Sequence, residues 1–380
     1  MPKSLLHDTL PLPSKLRQID GLQVLRALAV AQIAWAHAAE ILPLEHASFT
    51  LGIFGVDVFF VISGFILCSI VLHETAAPGP RTAWGFLKRR ILRIYPIYWL
   101  ICLVYLARLL HDGQTLSPDY LFSALLLPSP LHTTQLQLFA FGWTLIFELF
   151  FYLLLAFLLS FTVRRAVPIL MLVLTALVVI GQFVTLRHPI LIILLNPMLM
   201  EFVYGAAIAL LYRRLKSINA TRFNRSRARV MGGGVSILTG LAIARQLGTG
   251  PHPKIANGMQ MILAGEGVWL RILSWGLCAA MVVGGVVLWD PKLRSRAGRV
   301  LLALGAASYS GYLVSPLALE FGDRLLRRVL GAATTPAAQS VYVWLITLIV
   351  LCAGWLLYNF VEWPLLRALQ QRFLGAGRSR

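Results

Sequence analysis

An all-α fold that crosses a lipid bilayer about ten times, as a polytopic integral membrane protein with both ends in the cytoplasm, is what this sequence predicts. Three observations lead there. Of the 380 residues 58% are apolar and only 13% charged, a ratio too oily for a soluble domain of this length. Stretches 166–186, 272–289, 300–319 and 341–361 carry no Lys, Arg, Asp or Glu, and they approach or exceed the roughly 20 residues a helix needs to cross. The basic residues that give the net charge of +19 sit in short blocks between apolar runs, where membrane topology would put them.

Taken in order, apolar runs punctuated by Pro, Gly and charge predict spans near 22–42, 50–72, 94–111, 143–161, 166–186, 190–212, 230–247, 265–289, 300–319 and 340–361. The residues before Leu22 mix polar and apolar types with three prolines, so the run from Leu22 reads as a retained span rather than a cleaved signal. With a cytoplasmic N-terminus, the inside segments hold Lys3, Lys15, Arg17 and Arg26, then Arg81 to Arg93, Arg164 with Arg165, Arg213 to Arg229, Lys292 to Arg299, and the tail from Arg367. These contain 26 of the 34 Lys and Arg residues, and the opposite orientation would place that excess outside, against the positive-inside rule.

The longest outside loop, about 112–142, carries Asp112, Asp119 and His132 but no Lys or Arg, which suits a periplasmic face and a neutral or weakly charged substrate. Nucleic acid is not an expected partner: there is no Gly-rich nucleotide fingerprint and no basic-aromatic surface. Cys68, Cys102, Cys278 and Cys352 are scattered through apolar runs and read as ordinary buried thiols, so neither a disulfide frame nor a metal site is expected. No internal repeat and no paired interrupted helices of the transporter kind are evident.

Ionisable groups inside a span cost several kcal/mol and are functional candidates by default. Arg26, His37, Glu40, Asp57, Glu148 and Glu201 qualify, whereas Arg108, Arg245, Glu266 and Arg271 lie near enough to span ends to snorkel. Arg26 and His37 are eleven positions apart, about three helical turns, so they share a face at a separation of roughly 16 Å. Taken alone, that spacing reads first as a snorkelling arginine and a satisfied core histidine. Lys88, Arg89, Arg90 and Arg93 precede Ile94-Tyr95-Pro96; Arg90 and Arg93 could grip phosphate with forked donors, as for the phosphates of coenzyme A, or simply anchor the span. Glu148, in Gly142-Trp143-Thr144-Leu145-Ile146-Phe147-Glu148, could orient His37 and stabilise its protonated form, or fix the depth of its span. Asp57 opens a stretch to Phe65 whose Ser63-Gly64 pair reads first as a site of close helix packing.

Together these segments resemble the membrane acyltransferase-3 family, in particular its bacterial exopolysaccharide O-acetyltransferase branch. The resemblance rests on Arg26 with His37, on Asp57 to Phe65, on Arg90-Ile91-Leu92-Arg93 with Pro96, and on Trp143 to Glu148, in that order along almost the whole chain. It implies a single ten-helix domain over 1–380, with cytoplasmic segments 1–20 and 365–380, in a bacterial inner membrane. It also implies transfer of an acyl group, acetyl by family default, from cytoplasmic acyl-CoA to a hydroxyl of an envelope or exported glycan or of a lipid-linked sugar. Similarity to the family makes His37 the catalytic residue and assigns Arg26, Arg90 and Arg93 to function. One departure is Ser315, in Ser308-Tyr309-Ser310-Gly311-Tyr312-Leu313-Val314-Ser315-Pro316, where the family usually carries His. Glu362 with Pro364 also looks family-like, although a helix-ending interfacial Glu is the simpler reading.

The mechanism expected from this is general-base catalysis by His37, with Glu148 holding the imidazole and the donor phosphates on Arg90, Arg93 and Arg26. Ser63 and Ser315 are conceivable nucleophiles without an evident neighbouring base. An exporter or flippase of a lipid-linked glycan is the non-enzymatic rival, and a glycan polymerase or ligase the second enzymatic one.

Overall fold

The computed structural model describes residues 19–42, 50–129, 138–184, 188–218, 227–248, 261–262, 265, 267–331 and 335–374. Lys3, Lys15, Arg17, His132 and Glu266, all used in the sequence reading, lie outside the described residues. Every regular element among the described residues is helical. In chain order the α-helices are α1 (Asp20–Glu40), α2 (Thr50–Leu72), α3 (Pro80–His111), α4 (Asp119–Ala124), α5 (Trp143–Phe161), α6 (Ala166–Ile180), α7 (Pro189–Leu194), α8 (Leu199–Ile218), α9 (Arg227–Gly248), α10 (Val268–Arg271), α11 (Leu277–Trp289), α12 (Arg296–Ala306), α13 (Ser308–Leu330), α14 (Pro336–Leu357) and α15 (Trp363–Leu374). Wider π-type turns at Ile272–Gly276 and Tyr358–Glu362 join α10 to α11 and α14 to α15.

Seven described helices are long and apolar enough to cross a membrane, or eight if the bent pair α12 and α13 is one crossing. Each expected span overlaps a helix, but two fall short of that standard, so the count of about ten is not reached by length and composition. Gln23, Arg26, Gln32 and His37 dilute α1, and α6 has 15 residues where about 20 are needed. The expected span 300–319 falls on this bent pair, where the chain turns by 73° between α12 and α13. Small residues on either side of the break, Gly305 and Ser308, make a helix bend there inexpensive. Large apolar side chains point outward along many helices, for example Leu172 at 70% and Phe360 at 73% exposure. In water such a surface would aggregate, whereas in lipid it is the solvated face.

Two compact units contain these helices: residues Met1–Ile62, Leu211–Pro253 and Ser274–Trp363 in the first, Ser63–Leu210, Lys254–Leu273 and Pro364–Arg380 in the second. In the first unit α1 is the hub, packing on α11, α12, α13 and α14. Its alanines make this possible. Ala34, Ala38 and Ala39 sit with Ala318, Leu319, Tyr342, Val343, Ile346 and Val350 in one core cluster, where side chains this small let neighbouring backbones approach. The α13–α14 contact is closer still, since a Cβ placed on Gly354 would stand 2.4 Å from the Cα of Gly311.

In the second unit α5 packs on α3, α6 and α7. Helix α3 begins with Pro80 in its first turn and continues through Pro96, whose ring removes one ladder hydrogen bond inside the helix. Farther along, Tyr95, Tyr98 and Trp99 donate to the carbonyls of Leu125, Ser123 and Ala124 at 2.9, 2.6 and 2.9 Å, and so satisfy the C-terminal end of α4. Asp119, placed by the sequence reading in an open loop, is buried at the start of α4 and accepts from Ser117 at 3.1 Å and from Ser129. It stabilises the loop's fold.

Because Gly311 and Gly354 meet unequally, their substitutions separate. Gly354→Ala forces backbones apart and should cost about 1–3 kcal/mol, read as a lower melting temperature in detergent. Gly311→Ala meets only ordinary contacts, Val30 at 3.4 Å and Gly354 at 4.0 Å, and should melt with the parent protein.

Candidate active site

Three polar clusters stand out among the buried apolar helices. The first lies on α1, which is unbroken from Asp20 to Glu40, so Arg26 and His37 share the face that their spacing predicts. Arg26 donates to Gln23 Oε1 at 3.3 Å. His37 is set among Ala36, Ala38 and Ala39, all at 0% exposure, with its own side chain 26% exposed. Its Nδ1 lies 2.9 Å from Glu40 Oε2, one turn on. An ionised carboxylate can only accept, so the contact selects the tautomer with hydrogen on Nδ1 and leaves Nε2 as the basic nitrogen. That is the arrangement a general base needs.

A second cluster, also in the first unit, joins α13 to the π turn before α15. Ser310, fully buried, donates to Glu362 Oε2 at 2.5 Å. Glu362 is only 3% exposed, so the expectation of an interfacial helix-ending carboxylate is corrected: the widened turn at Tyr358–Glu362 carries the side chain into the protein. Asp57 is likewise fully buried in this unit. Ser315, the departure noted above, returns its hydroxyl to the Tyr312 carbonyl at 2.8 Å, a local helix contact that occupies its one donor.

The third cluster belongs to the second unit. Arg90, on α3, is 7% exposed and lies over the Phe86 ring at 5.8 Å, with Arg93 half-buried one turn on. The plain-anchor alternative fits Arg90 poorly, since its side chain is enclosed by protein. It suits Lys88 better, whose Nζ donates to the Phe373 carbonyl at 2.6 Å and caps the end of α15. On α5, Glu148 Oε1 accepts from Ser63 at 3.1 Å and from Tyr152 one turn on, and Arg90 is within electrostatic range of both Glu148 and Tyr152. Beside Ser63, Gly64 takes the packing role foreseen for the pair, since a Cβ there would meet the Phe202 carbonyl at 2.4 Å.

The sequence reading assigned Glu148 to His37. Within its unit Glu148 is held by Ser63 and Tyr152, and within the other His37 has Glu40, a carboxylate that was named as intramembrane but given no role. The four-residue spacing of Glu148 and Tyr152 was a legible signal for their contact. Ser63 with Glu148 and Ser310 with Glu362 were not, being 85 and 52 residues apart. Arg271, read as snorkelling, is fully buried, and Glu201 in the same unit is too. Cys68, Cys102 and Cys278 are buried free thiols, whereas Cys352, expected to be buried, faces outward. Among the described residues no group of three His, Cys, Asp or Glu could hold a metal ion.

Comparison with known proteins places this geometry in context. Residues 19–361 match a family described as an acyltransferase domain. The exopolysaccharide production protein ExoZ of Rhizobium meliloti (strain 1021) is 29% identical over 340 residues, 87% of this chain and 94% of that protein. The O-acetyltransferase OatA of Staphylococcus aureus (strain NCTC 8325 / PS 47) is 37% identical over 89 residues, 23% of this chain and 14% of that one. No solved structure is a significant match.

Ser310→Ala withdraws a donor from a buried carboxylate and should destabilise by about 1–3 kcal/mol. The control is Ser315→Ala, which loses only a local helix contact and should shift stability by less than about 0.5 kcal/mol in the same thermal unfolding measurement.

Proposed function

This chain belongs to the acyltransferase family that it matches over residues 19–361, and from that premise we propose that it transfers an acyl group, acetyl in the first instance, from cytoplasmic acyl-CoA to a hydroxyl of an envelope or exported polysaccharide. The enzyme is a multi-pass membrane acyltransferase. Its proposed setting is a bacterial inner membrane, crossed ten times, with both termini cytoplasmic. The acceptor is a glycan or lipid-linked sugar; similarity to the exopolysaccharide production protein along most of both chains supports this choice.

The observation that carries the chemistry is His37 with its Nδ1 on Glu40. His37 Nε2 takes the proton of the acceptor hydroxyl while that oxygen attacks the thioester carbonyl. The carbonyl carbon–sulfur bond then breaks, the ester forms, and the departing coenzyme A sulfur takes the proton back from the imidazolium. Glu40 keeps the ring in the correct tautomer and balances its transient charge, the role the sequence reading gave to Glu148. Arg90 and Arg93 hold the donor's phosphates in the second unit. Burial of Arg90 supports this, because a guanidinium kept from water gains most from a dianionic, forked partner. Arg26, on the same helix face as His37, is assigned to donor binding by family similarity.

Purified protein given labelled acetyl-CoA and candidate glycans should move label into the glycan. Transport of a lipid-linked glycan without label transfer would overturn the reading in favour of an exporter. A positioned base is worth about 10² to 10⁴ in rate, so His37→Gln should abolish detectable transfer at unchanged protein abundance. Glu40→Gln, which keeps the shape and loses the charge, should lower kcat by about tenfold with little change in KM for the donor.

A further inference from the structure

The end of the first unit that holds His37 also carries arginines that membrane topology does not call for. Contacts along α1 and α13 run in step: a Cβ on Gly311 would touch Val30, and farther on Ala34, Ala38 and Ala39 share a core cluster with Ala318, Leu319 and Leu326. The two helices therefore run in the same direction, and His37 stands near the level of Ala318. The last turns of α13 continue past it with Arg324, Arg327 and Arg328, roughly 9 to 15 Å farther along the axis. With 26 of the 34 Lys and Arg residues assigned to the cytoplasm, three of the remaining eight fall together here, on the opposite side. Trp35 and Trp344, their rings 6.4 Å apart, form at this end the aromatic pairing typical of a water–lipid boundary.

Arg327 is held in place but not used up. Its Nε donates to both oxygens of Asp323 at 2.8 and 2.9 Å, and the buried Tyr342 donates its hydroxyl to Asp323 at 2.8 Å. That occupies one of the five guanidinium N–H groups. The two terminal NH2 groups make no hydrogen bond among the described residues, and the side chain is 50% exposed. Arg324 pairs with Glu320, while Arg328 is exposed and has no ion pair among the described residues. Three cations over two carboxylates leave a positive surplus. A helix C-terminus attracts arginine through its dipole, yet neither Arg327 nor Arg328 donates to a terminal carbonyl among the described residues. The three arginines occupy one arc of α13, beside the exposed Phe321, Leu325 and Val329, so lipid can cover one side of the helix end while water meets the other.

We propose that Arg327, flanked by Arg324 and Arg328, receives a carboxylate of the acceptor polysaccharide on its free terminal nitrogens, so that the enzyme acts on an acidic glycan whose neighbouring hydroxyl reaches His37. This rests on the reading of His37 as the base of acyl transfer. Two parallel N–H groups at the end of a guanidinium match the two oxygens of a carboxylate, and Asp323 fixes the direction in which they point. An anionic lipid headgroup has similar chemistry, but the place of the arginines just beyond His37 on adjoining helices favours the glycan. The loop 112–142 has no Lys or Arg for such a substrate, and the end of α13 supplies the cations instead.

The test uses the full chain in phosphatidylcholine nanodiscs with labelled acetyl-CoA and polysaccharide extracted from the host's envelope and medium, either untreated or with its carboxylates reduced to alcohols. Label should enter the fraction that an anion exchanger retains, and carboxyl reduction should lower kcat/KM about tenfold, an effect that weakens with added salt. Arg327→Gln should bring the ratio of untreated to reduced acceptor down about tenfold, close to one. Arg327→Lys, which keeps the charge and loses the fork, should lower it about threefold. A ratio cancels any loss of folded protein. Label in the unretained neutral fraction, or a parental ratio in Arg327→Gln, would overturn the inference and leave acyl transfer standing. If no glycan takes label, the transfer reading falls and the inference with it. If phosphatidylglycerol in the nanodisc raises activity, and Arg327→Gln abolishes that rise without altering the ratio, the arginines hold lipid and the inference is overturned.

Discussion

A charged side chain held among hydrocarbon tails and apolar helices must find its counter-charge inside the protein, and the arrangement of this chain depends on that constraint. His37 answers it with Glu40 at 2.9 Å, and Glu148 with the hydroxyls of Ser63 and Tyr152. Glu362 takes the hydroxyl of Ser310. Each solution draws polar groups to a few points, and the remaining helix surface is free to be apolar and to face lipid. Catalysis needs the same concentration of polarity. A guanidinium as enclosed as that of Arg90 is costly to bury, and its charge keeps its strength because little water screens it.

Close helix packing is what makes such clusters possible. Helix α1 is poor as a membrane span, with Gln23, Arg26, Gln32 and His37 along it, yet it is the hub of its unit because its alanines admit four neighbouring helices. Packing of this kind replaces the hydrophobic drive that a span would otherwise supply. The same principle places Gly64 under the Phe202 backbone next to Ser63, so that the residue that allows contact and the residue that uses it are adjacent in sequence.

Irregular helix geometry sits beside the polar clusters. The 73° turn between α12 and α13 immediately precedes Ser308 and Ser310, and the π turn at Tyr358–Glu362 carries the carboxylate that Ser310 meets. Widened or broken turns change where a side chain points without interrupting the helix for long. A regular helix in either place would leave Glu362 on a different face.

By itself the sequence determined the helical class, the apolar stretches and the shared face of Arg26 and His37, because apolar length and the 3.6-residue period are local properties. It also made Arg26, His37, Glu40, Asp57, Glu148 and Glu201 visible as ionisable groups where charge is expensive, and Arg90 with Arg93 as a basic cluster at the start of a span. Only the tertiary structure decided their partners. Ser63 and Glu148 are 85 residues apart and Ser310 and Glu362 are 52 apart, and no periodicity links such pairs. The burial of Arg271 and the break at Ala307 were equally hidden, since both depend on what the other helices place around them. Local spacing shows which groups must be compensated, whereas the choice of compensating group depends on helix packing over distances that the sequence does not encode residue by residue.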